Sequence, residues 1–179
     1  MIINYQLSTI NCQLFYIIIS IVIIQRLTEL IIAKKNEIWL KREGAIEYGK
    51  EHYKFIVVLH ILFFISMIIE YKSRGRTHEL NTINYLFLVF FIVLQISRVW
   101  ILKTLGKYWN TRILRIPGSH LIKAGPYKYF KHPNYIIVAC EIFTIPMIFN
   151  LYFTAVIFTV LNAVMLFVRI KVENSALEN

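Results

Sequence analysis

Apolar runs of roughly bilayer length recur along this chain, and such runs leave few folds open to it. A spanning helix needs about 20 mostly apolar residues. Residues 14–33 supply the first, despite Arg26 and Glu29 in its last third, and residues 55–71, 85–102, 135–150 and 151–170 follow. The fourth and fifth runs meet at Asn150 with almost no loop. The fourth is barely long enough to cross at about 1.5 Å per residue, so the pair is expected to form a tight C-terminal helical hairpin. The content is 58% hydrophobic with 13 Phe and 11 Tyr, more than a soluble core of this size can use. The expected fold is an all-α polytopic membrane protein with about five transmembrane helices.

Charge sets the expected orientation. Lys and Arg number 20 against 10 acidic residues, and every acid is a glutamate. Residues 34–54 hold six of the cations and residues 103–131 hold seven; Arg169 and Lys171 bring that side to fifteen, against Lys72, Arg74 and Arg76 on the other. The positive-inside rule then places the three basic regions in the cytoplasm and the N-terminus outside. With no soluble domain to present the excess charge, its expected partner is anionic lipid headgroups and not nucleic acid. The first apolar run lacks a small-residue cleavage pattern and is expected to remain as a membrane helix. Cys12 and Cys140 form no CxxC motif, and His52 and His60 have no HExxH or carboxylate spacing, so no metal site is expected. Without repeats or low-complexity tracts, residues 1–179 read as a single domain, and nothing in the sequence indicates an oligomeric state.

The segment from Lys103 to His132 is long for a connection in so small a protein, which points to an ordered, functional cytoplasmic loop. Residues 112–116 and 121–123 flank Pro117-Gly118 and are expected to form two short strands about a turn. Pro133 suits the first position of a helix, making His132 the expected cap and turning the amides of Asn134 and Tyr135 outward. Free amides at a basic membrane face can receive an anion, such as the carboxylate of an amino-acid-like cofactor. Glu141 shares a helical face with Asn134 and Val138; a carboxylate inside a membrane helix requires a partner, expected in Arg98 or Arg169. Arg26 and Glu29, three residues apart, are expected to neutralise each other. Trp100 and Trp109 fit an interfacial aromatic belt.

Gly125-Pro-Tyr, then Lys131-His-Pro-Asn-Tyr135, then Arg169-Ile-Lys-Val-Glu173 one hairpin later resembles the isoprenylcysteine carboxyl methyltransferase family and the related phospholipid methyltransferases. Earlier residues resemble a bacterial branch of that family: Arg26, Glu29 and Asn36, Gly44-Ala-Ile-Glu47 with His52-Tyr53, and Leu105-Gly-x-Tyr-Trp109 with Arg112. Two positions depart from the family pattern. Lys131 stands where Arg is usual and loses bidentate geometry, and Asn174 replaces the second residue of a Glu pair.

The resemblance implies S-adenosylmethionine as cofactor, with its binding motifs within residues 103–179. Tyr127, His132, Pro133, Tyr135, Glu173 and Asn174 are then expected to bind it, Arg169 to face the acceptor as a catalytic residue, and Arg98 and Arg112 to contact the substrate. The implied reaction is carboxyl or hydroxyl O-methylation of a lipophilic, membrane-embedded or lipidated acceptor. An ionised carboxylate needs no general base, whereas a hydroxyl does; Glu141 or His132 would supply one, because Arg169 stays protonated. Two other readings compete. His132-Pro-Asn-Tyr also resembles membrane sterol and steroid reductases, which use a nicotinamide cofactor, and a non-catalytic membrane scaffold could pair the same charges inside its bundle.

Overall fold

A computed structural model describes residues 2–74 and 80–178; Arg76, counted above on the less basic side, lies outside the described residues. Five α-helices carry the described fold: α1 (Ile2–Arg42), α2 (Lys50–Ser73), α3 (Thr82–Leu105), α4 (Pro133–Met147) and α5 (Tyr152–Glu178). Four segments are long and apolar enough to cross a membrane, Ile10–Arg42, Lys50–Ser73, Thr82–Tyr108 and Tyr152–Ala176. The chain is thus a multi-pass, all-α membrane protein. The fourth helix has 15 residues, about 22 Å of length against a hydrocarbon core of roughly 30 Å. It sits between α3 and α5, burying Ile137, Glu141, Ile142 and Ile145, and forms the C-terminal hairpin with α5.

Polar side chains tie the hairpin end of the bundle. Asn150 adopts φ 56°, a left-handed conformation that asparagine tolerates, and its Oδ1 accepts a hydrogen bond from Asn84 Nδ2 at 2.8 Å. The same Asn84 nitrogen donates to the Met147 carbonyl at 3.0 Å. Glu70 of α2 caps α5: its carboxylate accepts from the amides of Phe153 at 3.2 Å and Thr154 at 2.8 Å, where the helix dipole favours an anion. Phe15 closes α1 onto this end, stacking on Tyr71 with centroids 3.7 Å apart and meeting Phe149 edge-on at 5.0 Å.

At the opposite end the loop is ordered, but not as a local hairpin. A short strand β1 (Ile46–Tyr48) pairs antiparallel with β2 (Ile113–Arg115), Ile46 opposite Arg115. The expected second strand at residues 121–123 does not form. The turn at Gly118 is present, at φ 73°, but β2 takes its partner from the α1–α2 connection. Side chains then bind the loop to α1: Asn36 Nδ2 donates to the Trp109 carbonyl at 2.7 Å, and Asn110 Nδ2 to the Ala33 carbonyl at 2.9 Å. Gly125 opens a 3-10 turn over Gly125–Lys128 that packs on α3. With φ +52° there, an added Cβ would come within 2.6 Å of Thr104 Oγ1, so glycine alone fits without strain.

Candidate active site at the loop end of the bundle

The residues around Pro133 and Arg169 converge on one another across α4, α5 and the loop. Tyr135 is the hub. Its hydroxyl donates to the Glu173 carboxylate and accepts from Arg169 Nε at 2.7 Å, so Arg169 and Glu173, one turn apart, are joined through a phenol. Arg169 Nη2 also donates to the Thr111 carbonyl at 2.5 Å, fixing the guanidinium against the loop. The imidazole of His132 stacks on the Tyr135 ring at 5.4 Å. Its Nδ1 lies 3.4 Å from Glu173 and its Nε2 3.2 Å from Asn174 Oδ1.

Electrostatics at this cluster follow from those contacts. The hydrogen bond to Glu173 raises the His132 pKa above its ordinary 6.5, burial opposing it and the carboxylate's charge adding to it. Tyr127 is pushed well above the usual phenol range, first by burial and then by the Glu173 charge, so its hydroxyl remains a donor. His132 sits at the cap position of α4 as expected, but its side chain makes no capping bond. The Tyr135 amide does not point outward as expected: it bonds to the His132 carbonyl at 3.1 Å. The helix N-terminus is consequently a weaker anion site than the sequence suggested.

Two large cavities meet here. One, of about 640 Å³, is the more polar of the two and basic, with Tyr127, Lys128, Lys131, His132 and Arg112 in its wall and Glu173 as its carboxylate among the described residues. The other, of about 480 Å³, is almost wholly apolar and runs into the membrane between α1 and α2. Its rim includes Leu27, Leu30, Ile61 and Ile65, all exposed on the lipid-facing surface, so it opens sideways. Both volumes lie in the range of small-molecule sites. Trp109, Asn134, Tyr135 and Arg169 belong to both walls. At this junction Trp109 Nε1 and Asn134 Oδ1 are buried without a hydrogen-bond partner, and such orphaned groups are uncommon in a finished interior.

The remaining expected residues lie around this centre. Pro133 is buried at the start of α4 and faces neither cavity, and Asn174 reaches the polar one only through His132. Arg112 lies on the polar side and not the apolar one, where its Nη1 contacts Glu47 at 2.5 Å and its guanidinium stands 4.6 Å over the Tyr53 ring. Glu141 is 2% exposed and lines neither cavity. It pairs with Arg98, as expected, but not with Arg169; Arg98 Nε at 3.0 Å and Nη2, Arg26 Nη2 at 2.5 Å and Gln95 Nε2 at 2.8 Å all donate to it. Arg26 also meets Glu29 at 2.9 Å, as expected, which completes a neutral cluster of two arginines and two glutamates. Sequence reasoning passed over Trp109, whose place in the Leu105-Gly-x-Tyr-Trp109 motif was visible but whose type also suits an aromatic belt.

Comparison with known proteins adds three findings. The profile of the isoprenylcysteine carboxyl methyltransferase family matches residues 87–179, more than half of the chain. An uncharacterized protein of Bacillus subtilis (strain 168), YpbQ, is 43% identical over 165 residues, covering 92% of this chain and 97% of its own length. An uncharacterized protein of Haemophilus influenzae is 27% identical over 156 residues, covering 86% of this chain and 89% of its own. No solved structure matches.

Proposed function

The chain belongs to the isoprenylcysteine carboxyl methyltransferase family of membrane methyltransferases, and from that premise we propose that it uses S-adenosylmethionine to O-methylate a lipophilic acceptor reaching the site from within the bilayer. The observation that carries this reading is the pair of cavities sharing the wall of Trp109, Asn134, Tyr135 and Arg169. A polar cavity beside an apolar one is what a water-borne cofactor and a lipid acceptor require if they are to meet.

The polar cavity suits the cofactor's chemistry. Glu173 offers an acceptor for hydroxyls or an ammonium group, and Tyr127 offers a donor. Lys128 and Lys131 supply cations for a carboxylate, and the face of Trp109 suits a sulfonium. The cofactor, when bound, supplies a methyl carbon already activated by that sulfonium. The protein's own work is then to align an acceptor oxygen and keep water out. Arg169, anchored by Thr111 and Tyr135, is positioned to hold an oxyanion at the junction as a permanent cation.

Neither side chain expected to serve as a base faces the acceptor cavity. Glu141 is locked among Arg26, Arg98 and Gln95, and His132 lies in the polar wall. The geometry therefore favours an acceptor that arrives ionised, a carboxylate or a hydroxyl acidic enough to ionise beside Arg169. The active end is proposed to face the cytoplasm, where the fifteen cations of the loop side point it. A test of the cofactor is thermal unfolding of the detergent-solubilised protein. S-adenosylmethionine should raise Tm, by an amount equivalent to about 2.7 kcal/mol at a hundredfold excess over Kd. Stabilisation by NADPH and none by S-adenosylmethionine would replace this reading with the reductase one.

A further inference from the structure

Seven residues along its helix from a residue at the loop end, about 10 Å at 1.5 Å per residue, each of the five helices carries a polar side chain, and Thr111, bonded by both Tyr53 and Arg169, sets α2 and α5 level there. Arg26 lies seven residues from Ala33, His60 from Tyr53, Arg98 from Leu105, Glu141 from Asn134, and Asn162 from Arg169. Arg98 and Glu141 satisfy each other, and Arg26 and Glu29 complete that cluster. His60 and Asn162 do not join it. Both line the apolar cavity. Asn162 is 3% exposed, and neither its amide oxygen nor its nitrogen makes a hydrogen bond among the described residues. The Nδ1 of His60 lies 2.7 Å from the Ile56 carbonyl; a carbonyl only accepts, so Nδ1 carries the ring proton and Nε2 is left without a partner.

A primary amide held in an apolar membrane cavity without a partner is unfavourable, and a hydrocarbon-only acceptor would leave it so. We propose that Asn162 and His60 form a second recognition point for the acceptor, binding an uncharged group that both donates and accepts, a hydroxyl, on its chain about 10 Å from the oxygen held at Arg169. The group is uncharged because the adjoining cluster already balances two arginines with two glutamates. The unprotonated Nε2 accepts, while the Asn162 amide both donates and accepts, so the pair suits a hydroxyl, which can donate to one and accept from the other; a carbonyl would leave Nε2 unmet. This assignment rests on the apolar cavity being the acceptor cavity. It adds that the acceptor is oxygenated along its chain and not a plain hydrocarbon tail.

The test is direct binding to the purified full-length protein of three carboxylates: hexadecanoate, 9-hydroxyhexadecanoate and 16-hydroxyhexadecanoate. The mid-chain hydroxyl lies about as far from the carboxylate as the polar layer lies from Arg169. It should bind about two- to tenfold more tightly than the other two, the range of one or two neutral hydrogen bonds. Asn162→Leu and His60→Phe, each similar in shape to the residue replaced but without its hydrogen-bonding atoms, should reduce or abolish that preference. Equal affinities for the three ligands, no binding of any, or a preference that survives in both variants would overturn the subsite. Affinity for S-adenosylmethionine, measured on the same preparations, tests the cofactor assignment separately. Its failure would remove the methyltransferase reading without deciding the hydroxyl preference.

Discussion

Tyr135 turns what would be an intrahelical ion pair into a relay, and that arrangement decides how the two ends of the family's Arg-to-Glu motif should respond to mutation. A simple Arg169–Glu173 bridge on a helix surface would contribute little, and its two residues would behave alike. With the phenol between them, Glu173 is left as the carboxylate of the polar cavity and Arg169 as the cation of the junction. Glu173→Ala is expected to weaken S-adenosylmethionine binding about ten- to a hundredfold, the loss of a charged hydrogen bond of roughly 1.5–3 kcal/mol. Arg169→Lys should leave that Kd nearly unchanged while single-turnover transfer falls, because charge survives but the planar fork does not. Equal, small changes in both quantities for both variants would return the pair to a structural role. His132 carries a pH signature. Its folded pKa lies above the ordinary 6.5 because Glu173 accepts its hydrogen bond. The stability it contributes is therefore complete below about 6.5 and disappears as pH rises through the folded value. The Tm difference between wild type and His132→Gln should shrink from about pH 6 to about pH 9; a difference constant across that range would mean the contact with Glu173 does not stabilise the charged form.

Among the elements, the helices were the most legible and the loop the least. Apolar runs of bilayer length mark α1, α2, α3 and α5 directly, and Pro133 marks the start of α4 because proline lacks the N–H that a first helical residue leaves unused. The β1–β2 pair was hidden because Tyr48 finds Ile113 across two membrane helices, and no local turn signal reports a partner so distant. Instead the sequence offered a local one at residues 121–123. Trp109 and Asn162 were illegible for a different reason. An aromatic at the interface and an amide in a helix each have a bland explanation, and only the cavities show that both face open space. Gly125 opens the Gly-Pro-Tyr motif that was visible in the sequence, and the demand of its turn for glycine is testable. Gly125→Ala meets both a left-handed φ and Thr104 Oγ1 at 2.6 Å, whereas Gly44→Ala, at φ +84°, meets nothing within 4 Å. The first should lower stability by more than the second, which carries only the backbone strain of about 1–2 kcal/mol. Equal losses in thermal melts would show that the close packing of the turn on α3 is not stabilising.

For the whole molecule, the fold joins α1 and α2 at the hairpin end through Phe15 and Tyr71 and parts them toward the loop end, where the apolar cavity opens to lipid. The proposed orientation makes Ser73, the last residue of α2, extracytoplasmic. A cysteine placed there should react with an impermeant thiol reagent in intact cells, and protection from it would invert the topology. Glu141 holds together helices that no soluble core encloses. Glu141→Ala leaves Arg26 and Arg98 partly uncompensated and is expected to cost about 3–5 kcal/mol of stability, read as a fall in Tm. A change in turnover with Tm unaltered would instead make Glu141 a participant in the reaction. The central claim is that a water-borne methyl donor and a membrane acceptor meet at the wall of Trp109, Asn134, Tyr135 and Arg169. Its most direct test is transfer of labelled methyl from S-adenosylmethionine into a membrane lipid extract by the purified protein. Label should appear in a lipid ester or ether with wild type and be strongly reduced with Arg169→Lys; a wild-type protein that binds S-adenosylmethionine yet leaves every lipid fraction unlabelled would contradict it.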